Sequence, residues 1–430
     1  MKVLGLITEY NPFHNGHKYH IEEAKKVTEA DYVVVVMSGN FVQRGAPAII
    51  DKYFRAQMAL DNGADLVFEL PTYYATASAE YFAQGAVSLL DKLSIVDYLC
   101  FGSESGDIKA LKDTAMFLNN PPPSFDEQIA EYCKMGLSYP AAREKATTKH
   151  FQGSKSSDYK LILETLSEPN NILGIEYLKA LDEFSSKIEA VTIKRVSSHY
   201  HDDSLGLSDS HSLADAGQIS SATAIRNDIL KNDDKNLKSK VKAYLPEGVY
   251  NILLDKINKS FPITEEDFSS IIKYKLLSED VENLTSYADM NEDLAKRIKN
   301  NTNLDVDIDT LLKKVKTKNM TYTRISRVLT HVLLNIKKEE FETFNKNGYT
   351  AYGRILGMRR SSSNLVRRIK EEGNIPIISN LPQAEKQLGE IAMNMLKGDI
   401  FAAHVYNQAI FEKFGTSMAS EYLVKPCMIP

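Results

Sequence analysis

Four hundred and thirty residues, at about 100–200 per domain, allow two or three domains and a sizeable core. With 43% hydrophobic and 25% charged residues, the composition is that of an ordinary globular chain and excludes disordered, collagen-like and disulfide-framework classes. The net charge of −5 hides an asymmetry: residues 1–230 hold 21 Lys+Arg against 31 Asp+Glu, residues 231–430 hold 31 against 26, and residues 310–370 alone hold 15 against 3.

The apolar start, Met1 to Ile7, is broken by Thr8-Glu9 and is too short for the core of a signal peptide. Lys2–Ile7, Tyr32–Met37, Asp65–Leu70 and Tyr98–Gly102 read as buried strands, the second a continuous β-branched run of the kind a parallel sheet favours. Helical patterns lie between them at His17–Thr28, Lys52–Asn62 and Ala77–Lys92. Strands separated by such helices imply βαβ crossovers and a doubly wound α/β sheet. The proline run Pro121-Pro122-Pro123 opens a helical insertion over about 120–168, with patterns at Phe125–Met135 and Tyr139–Thr147. A further strand, Ala190–Val196, precedes a polar loop and a helix starting near Ser221.

From Lys231 onward no strand pattern stands out, while Ile325–Ile336 and Leu388–Leu396 repeat apolar residues every three or four positions. The expected architecture is a doubly wound parallel-sheet domain over 1–230 with the helical insertion, then a mainly α-helical domain over 231–430 entered through the polar linker Lys231–Lys242. No run approaches the roughly 18–20 apolar residues of a membrane span. The cysteines Cys100, Cys133 and Cys427 are too scattered for a zinc motif or a disulfide pattern. A cytoplasmic location is expected, with no membrane and no obligate protein partner evident.

After the first strand comes Glu9-Tyr10-Asn11-Pro12-Phe13-His14-Asn15-Gly16-His17. A strand leading through His-x-Gly-His into a helix is a phosphate-handling arrangement: the helix N-terminus supplies free N–H groups and a positive dipole end, and two imidazoles can donate to a triphosphate. Such histidines can equally do no more than cap a helix. Ile219-Ser220-Ser221-Ala222-Thr223-Ala224-Ile225-Arg226 puts hydroxyls in cap positions and a guanidinium one turn in, which suits either a plain capped helix or a phosphate site.

Together, HxGH and ISSxxxIR on this strand–helix alternation resemble the HIGH-type nucleotidyltransferase superfamily, whose members attack the α-phosphate of a nucleoside triphosphate and release pyrophosphate. Ser38-Gly39-Asn40-Phe41-Val42-Gln43-Arg44-Gly45, Phe68-Glu69-Leu70-Pro71, Phe101-Gly102-Ser103-Glu104 and Pro169-Asn170-Asn171-Ile172-Leu173-Gly174 narrow the likeness. With them the chain resembles, over essentially its whole length, the bacterial tRNA(Met) cytidine acetate ligase family. The resemblance implies activation of acetate by ATP as acetyl-adenylate, then transfer to N4 of the wobble cytidine of elongator tRNA(Met), giving N4-acetylcytidine.

By that resemblance ATP is held by Ile7, Thr8, Glu9, Tyr10, Asn11, Pro12, Phe13, His14, Asn15, Gly16, His17, Lys18, Tyr19 and His20, then by Gly102, Asn170 and Arg195. Gly102 ends a strand, where open sheets place ligands. Arg195 fits a phosphate or a surface ion pair, and Asn170 fits a nucleotide contact or a cap on the helix Asn171–Leu181. Acetate is itself the nucleophile, so catalysis asks for positioning and charge stabilisation. His14 and His17 would donate to the phosphates, Ser221, Thr223 or Arg226 would steady the pyrophosphate, and Mg²⁺ is expected with ATP.

In the basic half, Lys316, Lys318, Arg324, Arg327, Arg359, Arg360, Arg367 and Arg368 are the expected tRNA contacts, since phosphate contacts release counterions. Gly357 to Ser363 reads as a loop closing on tRNA. His199, His201, Asp202 and Asp203 are of metal-ligating type but are more often a polar loop, and no metal ligand is assigned. His150, His211, His331 and His404 have no partner visible in sequence. Two other enzymes remain open: an adenylyltransferase of a small cofactor precursor, and an acetate ligase acting on a carrier-protein thiol. A tRNA-binding protein with a catalytically idle nucleotide domain is the non-enzymatic alternative.

Overall fold

The computed structural model describes residues 1–137, 139–151, 166, 168–195, 218–231, 239–303, 305–384 and 386–430. The valine run forms strand β2 (Tyr32–Ser38), parallel to β1 (Val3–Thr8). Val33 and Val35 enter one apolar cluster and Val34 and Val36 another, because successive side chains of a strand point to opposite faces. A short hairpin, β3 (Phe41–Val42) and β4 (Ala46–Pro47), follows, then β5 (Leu66–Leu70), β6 (Tyr98–Ser103) and β7 (Glu189–Lys194).

The parallel strands run β5-β2-β1-β6-β7, so the order reverses between β1 and β6. That is the topological switch point of a doubly wound sheet, the place where such sheets bind ligands. The helices Asn15–Thr28, Lys52–Asp61 and Ala79–Lys92 make the crossovers, within two residues of their expected spans. In the insertion, Pro123–Lys134 and Tyr139–Phe151 pack a small cluster of their own around Phe125, Ile129 and Tyr132.

The back half is mainly helical, as expected, but the expectation of no strand there is corrected. It lends β8 (Gly353–Arg359), β9 (Ile377–Ile378) and β10 (Cys427–Ile429) to the same sheet. Strand β8 lies antiparallel to β5, with β9 and β10 parallel to it. The hydropathy pattern conceals β8 because it carries Arg354 and Arg359, whose charges are satisfied inside the fold. Arg354 meets Glu69 and Glu421, and Arg359 donates from Nε to the Ala64 carbonyl at 3.1 Å and from Nη2 to that of Leu60. The expected loop 357–363 is therefore the end of β8, a 3-10 turn at Arg360–Ser362 and the start of the helix Ser363–Glu372.

One apolar cluster joins Val34, Phe68 and Leu90 of the front half to Val328, Leu396 and Tyr406 of the back half. The polar linker is described only at its ends, Lys231 and 239–242.

Candidate active site

A cleft of about 460 Å³ opens at the carboxyl ends of β1, β6 and β7. Ile7, Gly102 and Arg195 stand at those strand ends, and Pro47, Ser221 and Glu265 also line the cleft. Of the expected nucleotide residues, Ile7 to Asn11, His14, Gly16, His17, Tyr19, His20, Gly102, Asn170 and Arg195 line it. Pro12, Phe13 and Asn15 lie behind the wall: Phe13 is fully buried, and Asn15 Nδ2 donates to the carbonyls of Gln218 and Ala243 at 2.9 and 3.0 Å. Lys18 turns to the outer helix face, 3.8 Å from Glu22.

His14 is the N-cap of the helix Asn15–Thr28. Its Nδ1 accepts from the Gly16 N–H at 3.1 Å, and His17 Nδ1 accepts from the His14 N–H at 3.3 Å. A ring nitrogen that accepts carries no proton, so in both imidazoles Nε2 is the N–H donor. The rings stack at 3.7 Å between centroids, with Tyr10 packed edge-on against His17. Burial pushes the His14 pKa down to about 3, helped by Arg195 and Arg226. It pushes His20 down to about 4, helped by Arg195, and lowers His17 as well. At neutral pH all three are uncharged donors.

The expectation that this helix end offers free amides to a phosphate is corrected. The Asn15 N–H is spent on the Tyr244 carbonyl, that of Gly16 on His14 Nδ1 and that of His17 on the His14 carbonyl. The donors that this helix end leaves outside its capping bonds are the imidazole Nε2–H groups of His14 and His17. The second motif is more open. Ser221 Oγ caps its helix by accepting from the Ala224 N–H at 3.0 Å, but among the described residues no acceptor is placed on the Ala222 or Thr223 amide. Arg226 donates to the Asn11 carbonyl at 2.7 Å and to Thr223 Oγ1 at 3.1 Å, which fixes its guanidinium at the cleft wall. Across the cleft, Glu104 rather than Asn170 caps the helix Pro169–Glu183, accepting from the Asn170 and Asn171 N–H groups at 3.3 and 2.9 Å. Asn170 lines the cleft, with its Nδ2 donating to Glu104 Oε1 at 2.6 Å and its Oδ1 accepting from Arg195 Nη1 at 3.4 Å.

Sequence reasoning assigned no role to Gln43, Arg44, Arg55 or Glu265, although Gln43 and Arg44 lie in the SGNFVQRG stretch it singled out. Gln43, Arg44 and Glu265 line the cleft. Arg55 is wholly buried beneath it and donates to the carbonyls of Glu9, Ser38, Gly39 and Ile50, tying the ends of β1 and β2 together. Gly45, at φ +74, turns the β3–β4 hairpin where a Cβ would lie 2.2 Å from the Arg327 nitrogen. Its carbonyl accepts from Ser326 Oγ and Thr330 Oγ1 at 2.6 and 2.8 Å, so the cleft's front wall is seated on the back-half helix Tyr322–Leu333.

Glu69 of the Phe68–Pro71 stretch belongs to a junction of buried charge between the two halves of the chain. Lys52 Nζ lies 2.8 Å from Glu69 and 2.9 Å from Glu421, and Arg354 contacts the same two carboxylates. All four side chains are buried. Gly39 is required here because a Cβ would lie 2.5 Å from Glu69 Oε1. Two cations and two anions balance, which is the condition for burying charge at tolerable cost.

The HIGH Nucleotidyl Transferase family profile matches residues 1–421. A relative from Halothermothrix orenii, named tRNA(Met) cytidine acetate ligase, is 40% identical over 414 residues, 95% of this chain and 94% of its own. This chain belongs to the tRNA(Met) cytidine acetate ligase family. The crystal structure of Thermotoga maritima TmcAL bound with alpha-thio ATP covers all of both chains at 31% identity, with a TM-score of 0.89. The apo form of the same protein gives 0.91 at 32% identity, also covering 100% of each chain.

In this member of the ligase family the basic half is less free than its charge suggests. Arg324 and Arg327 each lie 3.2 Å from Asp289, and Arg368 lies 2.7 Å from Glu372. Arg359 is spent on the carbonyls of Leu60 and Ala64. Lys316, Lys318, Arg360 and Arg367 are exposed, the last 3.5 Å from Glu371. His331 is a core residue, with its ring nitrogens 2.9 and 3.0 Å from the Ala288 and Thr76 carbonyls. His199, His201, Asp202, Asp203 and His211 lie outside the described residues. Among the described residues no cluster of three His, Cys, Asp or Glu could hold a metal ion, and no helix is long and apolar enough to cross a membrane.

Proposed function

We propose that this chain is an ATP-dependent ligase that acetylates N4 of the wobble cytidine of elongator tRNA(Met), with residues 1–230 activating acetate and residues 231–430 holding the tRNA. The observation that carries the reading is the pair of neutral imidazoles, His14 and His17, whose Nε2–H donors are fixed at a switch-point cleft that Arg195 and Arg226 also line. The matches to ligases over almost the whole chain support it.

In the first step an acetate oxygen bonds to the α-phosphorus of ATP and the bond to the bridging oxygen breaks, so pyrophosphate leaves with the electron pair. Charge grows on the phosphoryl oxygens, where preoriented donors stabilise it most. His14, His17 and Arg195 suit the α-phosphate, while Arg226 with the Ala222 and Thr223 amides suits the departing pyrophosphate. Mg²⁺ would arrive on the phosphates, keeping water and phosphate ligands and needing no protein cage, and would neutralise charge there. Exposed Lys316, Lys318, Arg360 and Arg367 are the tRNA contacts this reading retains. An enzyme of this kind works where tRNA is, in the cytoplasm.

The test is labelled acetate with ATP, Mg²⁺ and unmodified elongator tRNA(Met). Label is expected in N4-acetylcytidine after nuclease digestion. Label on a carrier-protein thiol instead, or none on tRNA, would contradict the reading.

A further inference from the structure

Among the described residues the helical insertion lines no part of the cleft, yet its tip meets the back half. The helix Pro123–Lys134 closes on Gly136, at φ +94, where the Gly136 and Leu137 N–H groups donate to the Cys133 and Tyr132 carbonyls at 3.0 and 3.1 Å. A Cβ on Gly136 would lie 3.9 Å from Asn319 Nδ2. Asn319 belongs to a second ordered turn, in which Thr317 Oγ1 accepts from the Asn319 and Met320 N–H groups at 3.2 and 3.1 Å. Lys134, Lys316 and Lys318 flank this seam and are exposed. Among the described residues none of the three has a carboxylate within ion-pair distance, whereas Lys313 is spent on Asp309 at 2.5 Å.

Each side of the seam stands one element away from the cleft. On the insertion side Arg143 lies 2.9 Å from Glu176, on the helix whose Asn170, Leu173 and Tyr177 line the cleft. On the other side the helix Tyr322–Leu333, which follows the second turn, holds the β3–β4 hairpin through the Gly45 carbonyl, and Gln43 and Arg44 of that hairpin line the cleft. The three lysines therefore belong to the rim at the carboxyl ends of the strands. Arg360 and Arg367 lie at the other end. The Arg359 N–H donates to the Asp65 carbonyl at 2.9 Å, Asn364 Nδ2 to the Tyr32 hydroxyl at 3.1 Å, and the Asn374 N–H to the Lys92 carbonyl at 2.8 Å. Those acceptors sit where the chain enters β5, β2 and β6 at their amino ends. The seven residues of β2 put about 20 Å between the two ends of the sheet.

We propose that the seam between the insertion and the turn 316–319 grips the anticodon arm of the tRNA, with Lys134, Lys316 and Lys318 on its phosphates, while Arg360 and Arg367 meet a part of the tRNA remote from the base being modified. The proposal rests on the function proposed above. A base that undergoes chemistry must leave its stack and reach into the cleft. The phosphates on either side of the wobble cytidine then come to the rim, where a lysine gains by displacing counterions. Both turns are closed by their own hydrogen bonds, so the cations are in place before the RNA arrives. Exposed Tyr139, three residues beyond Gly136, offers a ring face to an unpaired loop base.

The experiment measures binding of whole elongator tRNA(Met) and of its isolated anticodon stem-loop by filter retention. Lys134→Glu alone should weaken the stem-loop by about fivefold or more at low salt and flatten the salt dependence by about 1. Lys134→Arg should keep the affinity within about twofold of wild type. Adding Lys316→Glu and Lys318→Glu should deepen the loss to about a hundredfold. Arg360→Glu with Arg367→Glu should weaken the whole tRNA but leave the stem-loop within about twofold. These side chains are exposed, so every variant should melt with wild type. Undiminished stem-loop affinity in Lys134→Glu would overturn the proposal, as would equal losses from the seam and the Arg360/Arg367 patch. So would a wild type that binds whole tRNA and ignores the stem-loop. A wild type that binds neither RNA would overturn the underlying function instead.

Discussion

The cleft and the junction beside it use the same kinds of charged side chain for opposite ends. At the junction Lys52 and Arg354 share Glu69 and Glu421, and the Glu421 pKa is held down to about 2: burial opposes this, but Lys52 and Arg354 outweigh it. Each of these four charges has its opposite within the junction. In the cleft, among the described residues, Arg226 and Arg195 reach only neutral oxygens through hydrogen bonds, on Asn11, Thr223 and Asn170, and the imidazoles keep Nε2–H free of their capping bonds. Charge that is closed off internally holds two halves of a chain together. Charge that is fixed in place but left incompletely paired is what a polyanion can use.

Breaking the junction should have the largest effect. Glu69→Ala leaves Lys52 and Arg354 short of a buried carboxylate and should cost about 3–5 kcal/mol in denaturant unfolding. Glu265→Gln in the cleft should stay within about 1 kcal/mol. Equal losses would erase the distinction between the two sites.

Acid sharpens the comparison next. His14, His17 and His20 have lowered pKa values in the folded chain, but titrate near 6.5 when unfolded. Below about pH 6.5 the unfolded chain binds more protons, so ligand-free protein should lose stability as the pH falls toward about 4. The Glu421 contribution is present above about 4.5 and is lost only below that. Thermal unfolding between about pH 7.5 and 5 checks this. A slope unchanged in a His14→Gln/His17→Gln variant would remove the histidines from the account.

The smallest effect belongs to the exposed surface. Arg360→Glu with Arg367→Glu should weaken tRNA binding and reduce the salt slope by about 1 for each phosphate no longer neutralised. Arg359→Glu should act mainly on stability, since its guanidinium serves the Leu60 and Ala64 carbonyls. Unchanged tRNA affinity in the double variant would take this patch out of the RNA surface.

Much of the sheet was legible because strands such as Tyr32–Ser38 are buried on both faces and read as unbroken apolar runs. Strand β8 was not, because Arg354 and Arg359 break its pattern and find their partners at Glu69, Glu421, Leu60 and Ala64, which only the folded chain brings near. The histidines were legible as a motif, yet their caps were not: Asn15, Gly16 and His17 look like free helix-end donors until Tyr244 and His14 are seen to take them. Arg55 looks like any surface arginine in sequence. Its four carbonyl acceptors come from three separate stretches of chain, a convergence that no local spacing records.

Pyrophosphate–ATP exchange, run with and without acetate on wild type and His17→Ala, tests the central claim most directly. The account predicts exchange that requires acetate in wild type and falls by about a hundredfold or more in His17→Ala, with tRNA affinity retained. Exchange that ignores acetate, or that survives the loss of His17, would contradict it.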